Sequence, residues 1–345
     1  AFIDSLMNSS IYKDSFDRLS SMVYSTLNFD LVLEKLNESS LTELELFSKT
    51  DIFIIKWLIS RLEHEDTSAN LNGYSITEIC QMRRKMHYGL VYSSHYYIIE
   101  NAYYLIKTAH FEPKKDAQDI WKSYISNDYI IDQKYRYFYY HYDKLVDNTP
   151  YEMLRALVEN IYTNRYLNPL SVAWSHAFSE SKANTGLLKQ QEFYATYVRN
   201  VKERTVVIIS DALRFEVGQT LIDRLHSDEK CTSTIQAMQS VLPSYTIFGM
   251  SALLPHKELM MDNDFKVVTD SKVCDDLKTR EKILQVYNKN SRVAQFDDIK
   301  TVKDAKELTT GQDVVYIYHN QIDARGDKLN TENEVFNACE EAIEE

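Results

Sequence analysis

Four β-branched residues in a row, Val206-Val207-Ile208-Ile209, set the strongest limit on what this chain can fold into. A run of that length and branching is a strand, and its lack of polar alternation marks a buried strand of a parallel sheet. A second run, Val314 to Tyr318, has the same character. Helical stretches lie between them. One carries Phe215, Leu221, Ile222 and Leu225; others span Thr246 to Leu254, after a Pro243-Ser244 turn, and Cys274 to Tyr287. Further strands are expected at Ser233 to Met238 and Val293 to Phe296, and a last helix from Thr331 onward. Strand and helix alternate, so this part predicts a doubly wound parallel sheet with helices on both faces.

The chain before about residue 200 has a different habit. Of the 25 tyrosines 21 lie there, and only three of the seven glycines. Apolar residues recur at spacings of three and four, as in Leu31, Leu33, Leu36, Leu41, Leu44 and Phe47, which predicts helices. Ser75 stands three residues before Glu78, the pattern of a capping box. Thr149-Pro150-Tyr151-Glu152 places a hydroxyl ahead of a proline and reads as another helix start. The aromatic run Tyr135 to Tyr142 can mean base stacking, but fits a helix packed on two sides better. His95, His110, His141, Asp116 and Asp119 show no metal-ligand spacing. The reading is α plus α/β: a helical region over 1–200, then an α/β domain over 201–345.

The net charge of −12 argues against broad electrostatic attraction to nucleic acid. No apolar stretch approaches the ~20 residues of a membrane span. Cys80, Cys231, Cys274 and Cys339 are scattered, with no CxxC pair, so neither a zinc ribbon nor a disulfide framework is indicated. With no signal peptide visible, a cytoplasmic location is expected. The chain starts without methionine and stops inside an expected helix, which reads as a piece of a longer protein.

In open α/β sheets ligands bind beyond the carboxyl ends of the strands. Two segments follow core strands there: Ser210-Asp211-Ala212-Leu213-Arg214, and His319 through Asp323 to Asp327. If the strands are neighbours, three aspartates and a histidine share one sheet edge, a donor set suited to a divalent metal. Singly, Asp211 could equally cap a helix, and Asp323 and Asp327 could belong to a turn. Ser244 and Thr246 open the helix after the Pro243-Ser244 turn; each could cap it, or serve as a metal-activated hydroxyl.

The order of these motifs resembles the alkaline phosphatase superfamily. Asp follows the first strand, then comes Pro-Ser-x-Thr-x-x-Gly-x-x-Ala-Leu-Leu-Pro (243–255), then an aspartate-rich loop after a later strand. The closer similarity is to the PglZ domain of BREX anti-phage systems, on Ile209 to Glu216 and Tyr316 to Lys328, over residues 203–345. This resemblance implies a metal-dependent phosphatase or phosphodiesterase, including a nuclease, acting on a phosphoester that could be DNA and working with other BREX proteins. It implies Thr246 as nucleophile and Asp211, Asp323 and Asp327 as metal ligands, with His319, Arg214 and Ser244 as accessory residues. Zinc is the first expectation, with magnesium or manganese as alternatives, because Asp327 stands where the superfamily usually has histidine. A further Asp-His pair of the superfamily finds no counterpart before Glu345, so weak metal binding and little hydrolysis are expected of residues 1–345. The alternative reading is a catalytically inactive scaffold of the defence complex.

Overall fold

The computed structural model describes all residues except 1, 10, 34, 37, 183, 229 and 329–333. It divides into two compact units, Ala1–Lys115 with Ser126–Ala177, and Asp116–Ile125 with Phe178–Glu345. Among the described residues no helix is long and apolar enough to cross a membrane.

The first unit is built on helices. Its main core lies among α1 (Lys49–Glu63), α2 (Ile76–Lys85), α3 (Ser93–Thr108), α4 (Tyr129–Tyr142) and α5 (Glu152–Ile161). The segment Leu31 to Phe47, whose spacing predicts helix, gives only a short helix (Phe29–Leu33) and a 3-10 turn (Glu38–Leu41), with Leu44 and Phe47 outside any helix. α1 shows the same spacing as a full helix, with Ile54, Ile55, Leu58, Ile59 and Leu62 buried. Ser75 caps α2 with the expected reciprocal pair: its hydroxyl accepts from Glu78 N–H, and Glu78 accepts from Ser75 N–H. Just before it, Asn72 and Gly73 both take positive φ and close a hairpin of two two-residue strands. Gly73 is the residue for which that conformation carries no steric cost.

The Thr149 segment departs from expectation. Thr149–Tyr151 is a 3-10 turn, and α5 starts at Glu152 without a side-chain cap. The Asp147 carboxylate takes the Thr149 N–H instead, so the turn is fixed by an acid outside the expected motif. In the aromatic run, Phe138 and Tyr142 are buried in the core, and Tyr135 stacks on Tyr162 with centroids 3.8 Å apart. These rings are packing surface.

A buried ion pair ties α1 to α2. Arg83 and Asp51 are each 1% exposed and form a bidentate pair at 2.9 and 2.7 Å. Arg83 also donates to the Leu44 carbonyl at 2.9 Å, and the Tyr96 hydroxyl donates to Asp51 at 2.5 Å. Each charge therefore has the partners that make its burial tolerable.

The second unit carries a three-stranded parallel sheet, in the order β1 (Thr205–Ser210), β3 (Val314–His319), β2 (Ser291–Gln295). Val314 pairs with Thr205 and His319 with Ser210 on one side; Val314 pairs with Ser291 on the other. The helix Val302–Thr309 connects β2 to its parallel neighbour β3, as parallel pairing requires. Strand β3 is buried along its whole length. Its partner β1 is not: Val207 is buried, but Val206 and Ile208 are 43% and 62% exposed. The run read as a core strand is an edge strand with one face open.

On one face Val207, Tyr316 and Tyr318 pack with Leu254, Cys274, Ile283 and Leu284. The last two come from α8 (Leu277–Tyr287), which Asp276 caps through Thr279 N–H. A second cluster joins Val217 of α6 (Phe215–His226), Ile322 of α9 (Gln321–Gly326), and Ala338, Cys339 and Ile343 of α10 (Val335–Glu344). The expected start of that last helix, Thr331, lies outside the described residues. The expected strand Ser233 to Met238 shrinks to Met238–Gln239, paired in parallel with Leu188–Lys189. Its alternation meets no neighbouring strand further back, so 233–237 stay irregular. An antiparallel set, Leu259–Met261, Val267–Thr269 and Lys272–Val273, follows α7 (Thr246–Ala252).

Candidate active site

The end of the parallel sheet brings the two aspartate-bearing segments together. β1 and β3 are in register to their last residues, and the Asp211 N–H donates to the His319 carbonyl at 2.9 Å. Asp211 thus starts its loop one residue past the ladder. It does not cap α6, because Arg214 occupies the N-cap position with no side-chain cap bond. Its carboxylate instead accepts from the N–H of Ala212, a residue held at φ +61°. Left-handed backbone at a residue with a Cβ costs of order 1 kcal/mol or more and is found where a turn is over-determined.

Asp323 lies inside the short helix α9, and Asp327 follows as its C-cap residue. The turn reading of this segment gives way to a six-residue helix. Asp211 and Asp323 are each half-buried. Burial raises the Asp211 carboxyl above the usual range, and the charges of Asp323 and Asp327 raise it further. Burial and Asp327 raise Asp323 in the same way. The three carboxylates therefore feel one another, and holding all of them ionised is unfavourable without a cation.

His319 is 3% exposed and is engaged at both ring nitrogens. Nδ1 lies 2.9 Å from Ser210 Oγ, and Nε2 lies 2.8 Å from the Glu345 carboxylate. Phe296 meets the ring edge-on at 4.9 Å. To ligate a metal, this imidazole would have to release one of those partners. Among the described residues no three histidine, cysteine, aspartate or glutamate side chains gather closely enough to hold one ion. The donor chemistry of the three aspartates fits a divalent cation; a closed set of ligands is not assembled.

Thr246 is the first residue of α7 and is exposed. Tyr245 holds the N-cap position with no side-chain cap bond, and no described hydrogen bond involves the hydroxyl of Ser244 or Thr246. Neither is used as a cap, which leaves both hydroxyls available. Arg214 is exposed at the start of α6.

The sequence reading passed over Arg280. It sits at the buried side of α8, three residues after Leu277 and four before Leu284. That spacing puts it on the apolar stripe, which is the signal that could have found it. Its charge counters the rise at Asp211.

Part of this chain matches a known family, and the whole of it matches two relatives. Residues 191–345 match the model of the BREX system PglZ alkaline phosphatase-like domain. This segment belongs to the PglZ family. The whole chain is 33% identical over 358 residues to alkaline phosphatase-like protein PglZ of Bacillus cereus (strain H3081.97), covering 41% of that protein. It is 29% identical over 360 residues to alkaline phosphatase-like protein BrxZ of Escherichia coli O9:H4 (strain HS), with 97% of this chain and 41% of that protein aligned. The chain thus spans about two fifths of the length of both relatives, and their similarity extends over the helical unit as well as the PglZ segment. No solved structure matches the chain. The three aspartates and Thr246 all lie within the matched segment.

Proposed function

We propose that the PglZ segment is the phosphoester-hydrolysing part of a BREX-type anti-phage defence protein, working with other BREX proteins. The observation that carries this is the placement of Asp211, Asp323 and Asp327 beyond the carboxyl ends of two adjacent parallel strands, where Asp323 and Asp327 raise Asp211 and Asp327 raises Asp323. Carboxylates crowded in this way form a natural cation site. Asp211 would hold a divalent ion on one side, and Asp323 with Asp327 on the other; zinc is the first candidate and magnesium or manganese the oxygen-preferring alternatives. Such an ion would supply positive charge to the phosphoryl oxygens. The exposed Thr246 hydroxyl, losing its proton to water, would attack phosphorus and displace the ester's alcohol, which leaves with a proton. Water would then cleave the threonine–phosphorus ester and free the hydroxyl. The substrate class is a phosphomonoester or phosphodiester, DNA included.

In this reading the parallel sheet is the start of a doubly wound domain over 201–345, and residues 1–200 form a helical region ahead of it. The edge of β1, unpaired among the described residues, supports a sheet that continues beyond the three strands, and the exposed Val206 and Ile208 leave a face for a further layer to cover. A second reading, a catalytically silent scaffold, draws support from the lack of a closed ligand set among the described residues and from the engaged His319.

The test is hydrolysis of bis(p-nitrophenyl) phosphate with zinc, manganese or magnesium, by a full-length protein of the relatives' extent that contains this chain and by its Thr246→Ala and Asp211→Asn variants. Metal-dependent turnover lost in both variants supports the hydrolase. Turnover unchanged in Thr246→Ala would show that Thr246 is not the nucleophile, and no turnover with any metal favours the scaffold.

A further inference from the structure

The second unit buries an arginine that no described carboxylate pairs with directly, although its charge is felt at Asp211. Arg280 is 7% exposed. Its guanidinium lies over the Tyr318 ring, 4.5 Å from the centroid, and its Nη1 approaches the Met250 sulfur at 3.5 Å. Its Nε is buried without a hydrogen-bond partner, and among the described residues no carboxylate forms an ion pair with it. A thioether is a weak acceptor, and a ring face is no substitute for two oxygens. The contrast within this one chain is direct: Arg83, equally buried, has both Asp51 oxygens and the Leu44 carbonyl. An unpaired buried charge is expensive to keep, so a fold that keeps one has a use for it.

The position of Arg280 says what that use is. Tyr318 is the residue before His319 and stands opposite Ile209, two residues before Asp211. Met250 lies one helical turn beyond Thr246, so the two share a side of α7. The guanidinium therefore touches the strand leading to Asp323 and the helix that begins with Thr246. A planar fork of N–H donors matches two non-bridging oxygens of one phosphoryl group.

We propose that Arg280 is the oxyanion-binding residue of this site, receiving the phosphoryl oxygens of a phosphoester. The proposal rests on the phosphoester reading given above, and its test does not use hydrolysis. Inorganic phosphate is titrated calorimetrically into the chain, with and without manganese, and into Arg280→Met and Arg280→Lys variants. Methionine keeps an unbranched stem against Tyr318 and Met250; lysine keeps the charge. Circular dichroism and thermal unfolding establish that each variant is folded.

The expected result is phosphate binding weakened roughly 10- to 100-fold in Arg280→Met, as for lost hydrogen bonds to a charged group. Arg280→Lys should recover part of it, and manganese binding measured without phosphate should not weaken in either variant. Phosphate affinity unchanged in folded Arg280→Met, or no phosphate binding by the parent chain, overturns the proposal. So does a loss in Arg280→Lys as complete as in Arg280→Met when both unfold early, which would make the residue structural. Arg280-dependent phosphate binding without any hydrolysis would sink the hydrolase reading alone; hydrolysis that needs Thr246, with phosphate binding indifferent to Arg280, would sink this proposal alone.

Discussion

Ser210 and His319 close the ends of two neighbouring strands at matching register positions, with Ser210 Oγ 2.9 Å from His319 Nδ1. The same imidazole reaches the Glu345 carboxylate at 2.8 Å, so one buried ring ties β1, β3 and the end of the chain's last helical segment together. The loop bearing Asp211 leaves the sheet from this clamp.

Replacing His319 by alanine removes both links and leaves a cavity beside Phe296. The PglZ unit should lose about 1–3 kcal/mol, the range for a buried polar group deprived of its partner. Urea denaturation followed by circular dichroism measures it. Stability equal to the parent would mean that the clamp is incidental.

Asp211→Asn should stabilise the fold at neutral pH. The folded-state carboxyl of Asp211 is raised by burial and by Asp323 and Asp327. A raised acid contributes stability that is fully present below its unfolded pKa and is lost as pH rises through its folded value. Asparagine removes that loss. The variant's melting temperature should exceed the parent's at pH 7 in the absence of metal, and the gap should shrink toward pH 4. A gap that widens on acidification would contradict the crowding of these carboxylates.

Breaking the buried pair in the helical unit should be severe. Arg83→Met leaves Asp51 charged, buried and short of its bidentate partner. A cost of about 3–5 kcal/mol is expected for an orphaned buried charge. The double variant Arg83→Met, Asp51→Leu should recover much of it, since an apolar pair needs no solvation. Equal losses in single and double variants would show that the Arg83 contacts to backbone carbonyls matter more.

Tyr316 is fully buried in β3 and donates its hydroxyl to the Leu253 carbonyl at 2.8 Å. Tyr316→Phe keeps the ring and removes one hydrogen bond, leaving that carbonyl unmet. A loss of about 1–2 kcal/mol is expected in equilibrium unfolding. No loss at all would indicate that the Leu253 carbonyl finds another donor.

Much of this was legible in the residues alone. β-Branched side chains in Val206–Ile209, and β-branched with aromatic ones in Val314–Tyr318, made both segments strands, because crowding near the backbone acts locally. Ser75 and Glu78 capped their helix because a capping box closes within four residues. The motif order pointed to the PglZ family and to Asp211, Asp323 and Thr246 as the residues to examine. What the sequence could not carry was pairing. That β1 and β3 are neighbours in register depends on contacts more than a hundred residues apart, and so does the crowding of Asp211 with Asp323. The exposure of Val206 and Ile208 was hidden for the same reason: an edge strand and a central strand share a composition and differ only in who lies beside them. Ser233 to Met238 shows the converse, a strand-like stretch left irregular because no neighbour pairs with most of it. Arg280 stood on an apolar stripe as a plain anomaly; only the packing of α7, α8 and β3 around it showed a buried cation with no carboxylate in direct contact among the described residues.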